Sequence, residues 1–172
     1  MKKIRQKGFW FDVLSDVIYR KRRDVNQMEI VKADDTNFDD WVDLSLMLFP
    51  EHTRDEMVGF YSEILTSEKE VGFLYKKDDI YVGYINLSIR KDYVNGTDES
   101  PVAFVEAIFV LPEYRKQNIA RKLIEHAEGF ARNNGLKQLA SDCLLENEAS
   151  AKFHESCGFM ETERVIYFVK NL

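Results

Sequence analysis

The sequence predicts one α/β domain, a sandwich of helices around a single mixed sheet. Three observations lead there. With 172 residues, 45% hydrophobic and 31% charged, the chain is large enough for one proper core and too apolar for disorder. From Met28 onward, strand-length apolar runs alternate with segments of helical period in the order β-α-α-β-β-β-α-β-α-β. The junctions carry turn and stop residues where that order needs them, with no internal repeat or low-complexity tract.

Glu29–Lys32 reads as a short opening strand. Helical patterns follow at about 35–48, carried by Trp41, Leu44 and Leu48, and at 53–66, carried by Met57, Phe60 and Ile64. Two strands, about 70–76 and 80–90, flank the turn Lys77-Asp78-Asp79. Asn95-Gly96 marks a loop, and 102–111 is an almost wholly apolar strand. A long helix is expected over 115–134, stopped by Asn133-Asn134-Gly135. A strand at 137–143, a helix at 148–156 stopped by Gly158, and strand material to Val169 complete the order.

Charge divides the chain. Residues 1–27 hold eight Lys/Arg against three Asp, a net of +5, so with −6 overall the remainder carries −11. An acidic body argues against a nucleic-acid ligand and favours a cationic one, although an acidic balance also serves solubility alone. In the first 27 residues Phe9, Trp10, Val13, Leu14, Val17 and Ile18 recur at helical spacing between basic clusters. This is read as an amphipathic extension, either touching anionic lipid or docking on the domain or a partner subunit, with 28–172 as the functional unit. No apolar run is long enough to span a membrane, and no signal-peptide pattern is present. Cys143 and Cys157, with histidines at 52, 126 and 154, do not form a zinc pattern. The thiols are expected as small core residues in the cytoplasm, and no metal is expected.

The densest chemistry lies in Phe104–Lys122, FVEAIFVLPEYRKQNIARK. An apolar strand interrupted by one carboxylate, Glu106, runs through a proline turn into a basic helix start. Orphan amides and cations at a helix start suit a polyanion, and an ordinary β-turn-α connection reads the same way.

Arg115-Lys116-Gln117-Asn118-Ile119-Ala120, together with the element order, resembles the Gcn5-related N-acetyltransferases (GNAT). Their pyrophosphate loop follows the fourth strand as Gln/Arg-x-x-Gly-x-Gly/Ala. Arg115 and Ala120 match, and Asn118 stands where glycine is usual; asparagine tolerates a positive φ better than most residues. Asn147-x-x-Ser150-x-x-Phe153-His154-x-x-x-Gly158-Phe159 resembles a second signature of the same family. Asp92-Tyr93-Val94-Asn95-Gly96, Ser100-Pro101-Val102, Glu106-x-Ile108-Phe109-Val110-Leu111-Pro112, Ala140-Ser141-Asp142 and Glu161-Thr162-Glu163-Arg164-Val165-Ile166 resemble a group of aminoglycoside 6′-N-acetyltransferases. The resemblance covers roughly Met28 to the C-terminus.

The resemblance implies a mostly antiparallel mixed sheet with helices on both faces, acetyl-CoA as co-substrate and an aminoglycoside as acceptor. Backbone groups of Ile108, Phe109 and Val110 would pair with the pantetheine arm as an added strand does. The pyrophosphate would lie on the amides of Arg115, Lys116, Gln117, Asn118, Ile119, Ala120 and Arg121. Asn147 would bind the coenzyme arm, cap the following helix, or do both. The amide near Val110 would hold the oxyanion. Glu106, expected to share a face with Phe104, Ile108 and Val110 in a strand covered on both sides, is read as the base, as an electrostatic anchor, or as the partner of a neighbouring arginine. Asp142 and Glu163 would supply further carboxylates for a polycation, with Phe49 and Tyr93 as walls or as packing residues. His154 stands where a tyrosine protonates the departing thiolate in many relatives, and is read either as that acid or as structural. Family members of this type are commonly homodimers with intertwined C-terminal strands, so a homodimer is expected. Two alternatives remain: acetyl transfer to polyamines or protein amines, and a non-catalytic acyl-CoA-binding module.

Overall fold

The computed structural model describes residues 28–172; the amphipathic extension expected over 1–27 lies outside the described residues. The elements are β1 (Met28–Lys32), α1 (Phe38–Leu48), α2 (Arg54–Thr66), β2 (Glu70–Lys77), β3 (Ile80–Arg90), β4 (Val102–Val110), α3 (Ile119–Asn133), β5 (Leu139–Ser141) and α4 (Glu148–Ser156). The sheet runs in the order β1-β2-β3-β4-β5, antiparallel throughout except for the parallel pair β4–β5. This is the mixed, mostly antiparallel sheet the sequence led us to expect.

Each face of the sheet holds its own core. On one face Ile119, Leu123, Ile124 and Ala127 of α3 pack on Val71, Phe73, Tyr75, Val82, Ile85, Leu87, Val105 and Val110, with Phe153 of α4 alongside. On the other, Trp41, Val42 and Leu44 of α1 and Met57, Tyr61 and Ile64 of α2 cover Leu74, Tyr84 and Phe109. The spacing of the α3 residues explains the helix: they fall on one stripe of a 3.6-residue period.

Local chemistry sets the ends. Asp78 and Asp79, with φ of 49° and 67°, form the two-residue turn that closes the β2–β3 hairpin. Thr53 and Glu56 cap α2 reciprocally. At the end of α3, Gly135 takes a φ of 71° and Leu136 N–H returns to the Ala131 carbonyl at 2.9 Å. α4 ends the same way, with Gly158 at 93° and Phe159 N–H on the His154 carbonyl at 3.1 Å.

Three expectations need correction. The helix expected from 115 begins at Ile119, because Lys116 and Asn118 adopt φ of 60° and 62° and hold the chain out of the helix. The strand expected over 137–143 shortens to Leu139–Ser141, since β4 diverges from it beyond Val105. Among the described residues the strand material expected up to Val169 has no pairing partner, with Tyr167, Phe168 and Val169 each about nine-tenths exposed at 88%, 90% and 93%.

The divergence of β4 comes from one extra residue. Asn86 pairs with Ala107 and Leu87 with Val105, so Glu106 has no partner on β3 and forms a β-bulge. The bulge breaks the alternation of side chains. Val105 and Ile108 face α3, whereas Ala107 and Phe109 face α1 and α2. Glu106 therefore does not share a face with Ile108 and Val110, as plain alternation would have it; its carboxylate turns to the Phe104 side, toward Ser88 and Arg90.

Opposite the bulge, a buried polar contact pins the helical layer. Trp41 Nε1 donates to Asn86 Oδ1 at 3.0 Å, and Asn86 Nδ2 donates to the Tyr61 hydroxyl at 3.2 Å. Gly72, paired with Asn86 across β2–β3, leaves room for the indole. A Cβ at Gly72 would stand 2.3 Å from Trp41 Cζ2. Trp41 is fully buried and held by its N–H, so the ring has nowhere to go. Gly72→Ala should cost about 3 kcal/mol through overpacking, read as a lower denaturation midpoint at unchanged m-value.

Candidate active site

The site forms where β4 and β5 part. The two strands pair at Ala103–Leu139, Phe104–Ala140 and Val105–Ser141, and the next residue of β4 is the bulged Glu106. Beyond it the edge of β4 is open. Leu111 N–H donates to the Val82 carbonyl at 2.9 Å, so by strand alternation the peptide groups of Val110 and Ile108 point away from β3 into the opening. Phe109 directs its peptide groups to β3 and its ring into the helix-side core. Arg115 Nε donates to the Val110 carbonyl at 3.0 Å and folds the basic loop over the end of the strand.

That loop opens α3 without a side-chain cap. Asn118 is the N-cap residue in the left-handed region, at φ 62° and ψ 13°, and its side chain makes no capping bond. The first helical bond is Lys122 N–H to the Asn118 carbonyl at 3.0 Å, which leaves the amides of Ile119, Ala120 and Arg121 without an intrahelical acceptor. Arg115, Lys116 and Arg121 lie around them. Ile119 anchors the turn in the core, while Lys116 and Gln117 are exposed. Lys77 Nζ donates to Gln117 Oε1 at 2.8 Å, and Arg121 Nη2 donates to the Ser156 carbonyl at 2.6 Å, tying the loop to β2 and to α4. Such a turn suits a polyanion: it presents donors and partial positive charge and carries no carboxylate in the first turn of the helix.

Asn147 caps α4, its Oδ1 accepting from Ser150 N–H at 3.1 Å. His154, one turn further, bridges α4 to β5. Its Nδ1 lies 2.8 Å from the Ser150 carbonyl and its Nε2 2.9 Å from Ser141 Oγ. A carbonyl only accepts, so Nδ1 carries the proton and Nε2 of the neutral ring accepts from the serine hydroxyl. Ser141 stands opposite Val105, at the mouth of the divergence.

The carboxylates lie on the opposite flank. Glu106 accepts from Arg90 Nε at 2.9 Å, from Arg90 Nη2 at 2.6 Å and from the Ser88 hydroxyl. Its side chain is 31% exposed, so the strand is not covered on both sides at this point. The Arg90 guanidinium also stacks on the Phe104 ring, 3.4 Å from its centre. Asp142 is exposed just past β5, and Glu163 accepts from Asn95 Nδ2 at 2.6 Å. Tyr93, 78% exposed, lies on the same loop as Asn95. Glu163 is thus joined to the 93–97 loop, and Glu106 and Asp142 flank the end of the β4–β5 pairing. Phe49 packs at the edge of the helix-side core and against His52, and no contact joins it to Glu106.

Sequence reasoning allowed Glu106 an arginine partner without singling out Arg90, and gave no role to Ser88 or Ser141. A lone carboxylate in an apolar strand calls for a donor on a neighbouring strand, and Arg90 was the nearest cation of β3. Ser141 had no such signal, because its role comes from the short register of β5.

The chain matches the model of the Acetyltransferase (GNAT) family over residues 37–159. Among curated proteins, it is 41% identical over 143 residues to an aminoglycoside N(6′)-acetyltransferase type 1 of Salmonella typhimurium, covering 83% of this chain and 99% of that relative. It is 39% identical over 146 residues to the protein of that name from Acinetobacter baumannii, covering 84% and 99%. Among solved structures, AAC(6′)-Iy in complex with the bisubstrate analog CoA-S-monomethyl-acetylneamine superposes with a TM-score of 0.82 at 39% identity, covering 85% of this chain and 99% of that one.

The left-handed Asn118 can be tested directly. Asn118→Gly should leave stability unchanged within a few tenths of a kcal/mol, whereas Asn118→Val should lose about 1–2 kcal/mol by chemical denaturation.

Proposed function

The chain belongs to the GNAT acetyltransferase family, and on that premise we propose that it transfers acetyl from acetyl-CoA to the 6′-amine of aminoglycosides, by direct attack in a ternary complex. One observation carries the proposal. The bulge at Glu106 opens β4 and β5, and the opening lies between a donor-rich helix start and a set of carboxylates. One flank suits the anionic coenzyme and the other a polycation.

The pantetheine arm takes the open peptide groups of Ile108 as an edge strand would, beside the Val110 N–H, and the pyrophosphate takes the first-turn amides of α3 with Arg115, Lys116 and Arg121. Asn147 keeps a side-chain amide N–H group for the same arm while its oxygen caps α4. The Val110 N–H, aimed into the opening, is the donor for the carbonyl oxygen as charge builds on it, and a donor so placed is worth about 3 kcal/mol. Glu106, Asp142 and Glu163 receive the ammonium groups of the acceptor, with Tyr93 as a wall of its site. With Nδ1–H on the Ser150 carbonyl and Nε2 accepting from the Ser141 hydroxyl, the neutral His154 ring has no proton to pass to a departing thiolate, and it braces α4 against β5. Among the described residues no cluster of His, Cys, Asp and Glu could hold a metal ion, and no helix is long and apolar enough to cross a membrane. A cytoplasmic enzyme would meet acetyl-CoA where it is made.

The assay is thiol release from acetyl-CoA. Turnover is expected with kanamycin and not with an analogue bearing a hydroxyl in place of the 6′-amine. Equal turnover of both would place the acetyl group elsewhere, and silence with both, beside turnover of spermidine or lysine peptides, would reassign the acceptor.

We further propose a homodimer. Val165–Val169 is an apolar, strand-like run that lies exposed. The outer edge of β5 borders a groove of about 540 Å³ reached by Asn95–Thr97 and Cys157–Met160. The C-terminal run of a second copy would fill it by strand addition. Sedimentation at micromolar concentration should show a dimer, and removal of residues 164–172 should yield a monomer; a monomeric full chain would overturn the proposal.

A further inference from the structure

Glu106 stands at the bulge where β4 and β5 part, and it is already neutralised. Arg90 engages both of its oxygens and Ser88 a third acceptor position, which leaves one lone pair on Oε2 for any incoming ammonium. That ammonium would also meet a like charge beside the one it seeks. We propose that Arg90 is a resident counterion of the acceptor site, occupying the place of a substrate ammonium and leaving Glu106 when a polycation binds. The inference rests on the acetyltransferase reading above and names the residue that sets which amines are accepted.

The geometry equips Arg90 to leave. It is the last residue of β3, and its side chain is 38% exposed while that of Glu106 is 31% exposed. Both partners reach water, so solvent or a competing cation can take over their hydrogen bonds when they part. The guanidinium also has a second seat on the Phe104 ring, 3.4 Å from the centre, which holds it whether or not Glu106 is bonded. Exchange therefore moves a hydrogen-bond partner without expelling a charge from the site. A ligand with one ammonium would trade one cation for another at no gain. A ligand with several gains at Asp142 and Glu163, which have no cation of their own: Glu163 is bonded to the neutral Asn95, and Asp142 makes no ion pair among the described residues. Discrimination in favour of polycations would follow from this competition, in addition to pocket shape.

A positioning role for Arg90, orienting Glu106 toward substrate, predicts the opposite kinetics. Under exchange, Arg90→Gln removes the competitor, and KM for kanamycin should fall on the order of fivefold with kcat nearly unchanged. In a Glu106→Gln background the same substitution should do nothing, because there is no carboxylate left to compete for. Lys91→Gln, a neighbouring exposed charge, should shift KM less than about twofold and controls for the general field. Arg90→Lys, a weaker one-pronged competitor, should give a smaller fall in the same direction and serves if Arg90→Gln does not fold. A rise in KM for either variant, an unchanged KM, or an equal fall in the Glu106→Gln background would overturn the proposal. Calorimetric binding of kanamycin reads the same comparison without turnover. Loss of the function reading, seen as no acetyl transfer by the wild-type chain, is thus distinguishable from loss of the exchange.

Discussion

The structure depends on one inserted residue. Strands β3 and β4 have matched registers on both sides of Glu106 and none at it. An extra residue in an antiparallel pair must bend its strand and increase the local twist. Here the bend takes β4 away from β5 after only three parallel pairs. Everything the site offers follows from that bend. Among the described residues the peptide groups of Ile108 and the N–H of Val110 are left unpaired at a sheet edge, the Val110 carbonyl being taken by Arg115, and Glu106 keeps the face it shares with Ser88 and Arg90 while Ile108 and Val110 turn to α3. Without the extra residue β4 would have continued beside β5 and closed the edge.

A bulge costs ladder hydrogen bonds, so it persists only where the surroundings hold it. On β3 the residue beside it is Asn86, whose side chain is fully enclosed at 3% exposure and bonded to Trp41 and Tyr61. A buried amide with both ends engaged is costly to move, because any shift leaves a polar group unpaired. The indole of Trp41 can reach Asn86 only because Gly72 lies beneath it. The α1–α2 layer thus reads the register of β3 directly. On the far side, α3 and α4 both end on a left-handed glycine, and Arg121 joins the start of one to the end of the other. The helix start that faces the opening is therefore fixed at both ends and from below.

Much of this was legible in the sequence. The element order, the Asp78-Asp79 turn, the two glycine stops and the positive φ of Asn118 all follow from local preferences, which act within a few residues and leave a mark in composition. The bulge left no such mark. Alternation in FVEAIFV is compatible with a regular strand, and the insertion appears only when the partner strand supplies its register. The faces of Ile108 and Val110 relative to Glu106 were misjudged for that reason; an arginine partner was among the readings of Glu106, but neither Arg90 nor Ser88 was singled out. The start of α3 was placed early because Arg115–Asn118 has a helix-like composition; two left-handed residues, Lys116 and Asn118, keep it out of the helix. The tail beyond Phe159 has strand composition without a partner among the described residues, and composition cannot say what supplies one.

The bulge also sets how the site treats charge. Carboxylates collect a polycation, and residues 28–172 carry a net −11 that favours it throughout. A site with only negative charge would take any cation. Placing a guanidinium within hydrogen-bond reach of Glu106 changes that locally, because an incoming ammonium must displace one positive charge to gain one negative partner. The Phe104 ring keeps that guanidinium in place when its carboxylate is taken. Negative charge at Asp142 and Glu163 then decides the outcome, since only a ligand with several ammonium groups gains there as well. Attraction and discrimination are separated in space by the few residues over which β4 turns away from β5.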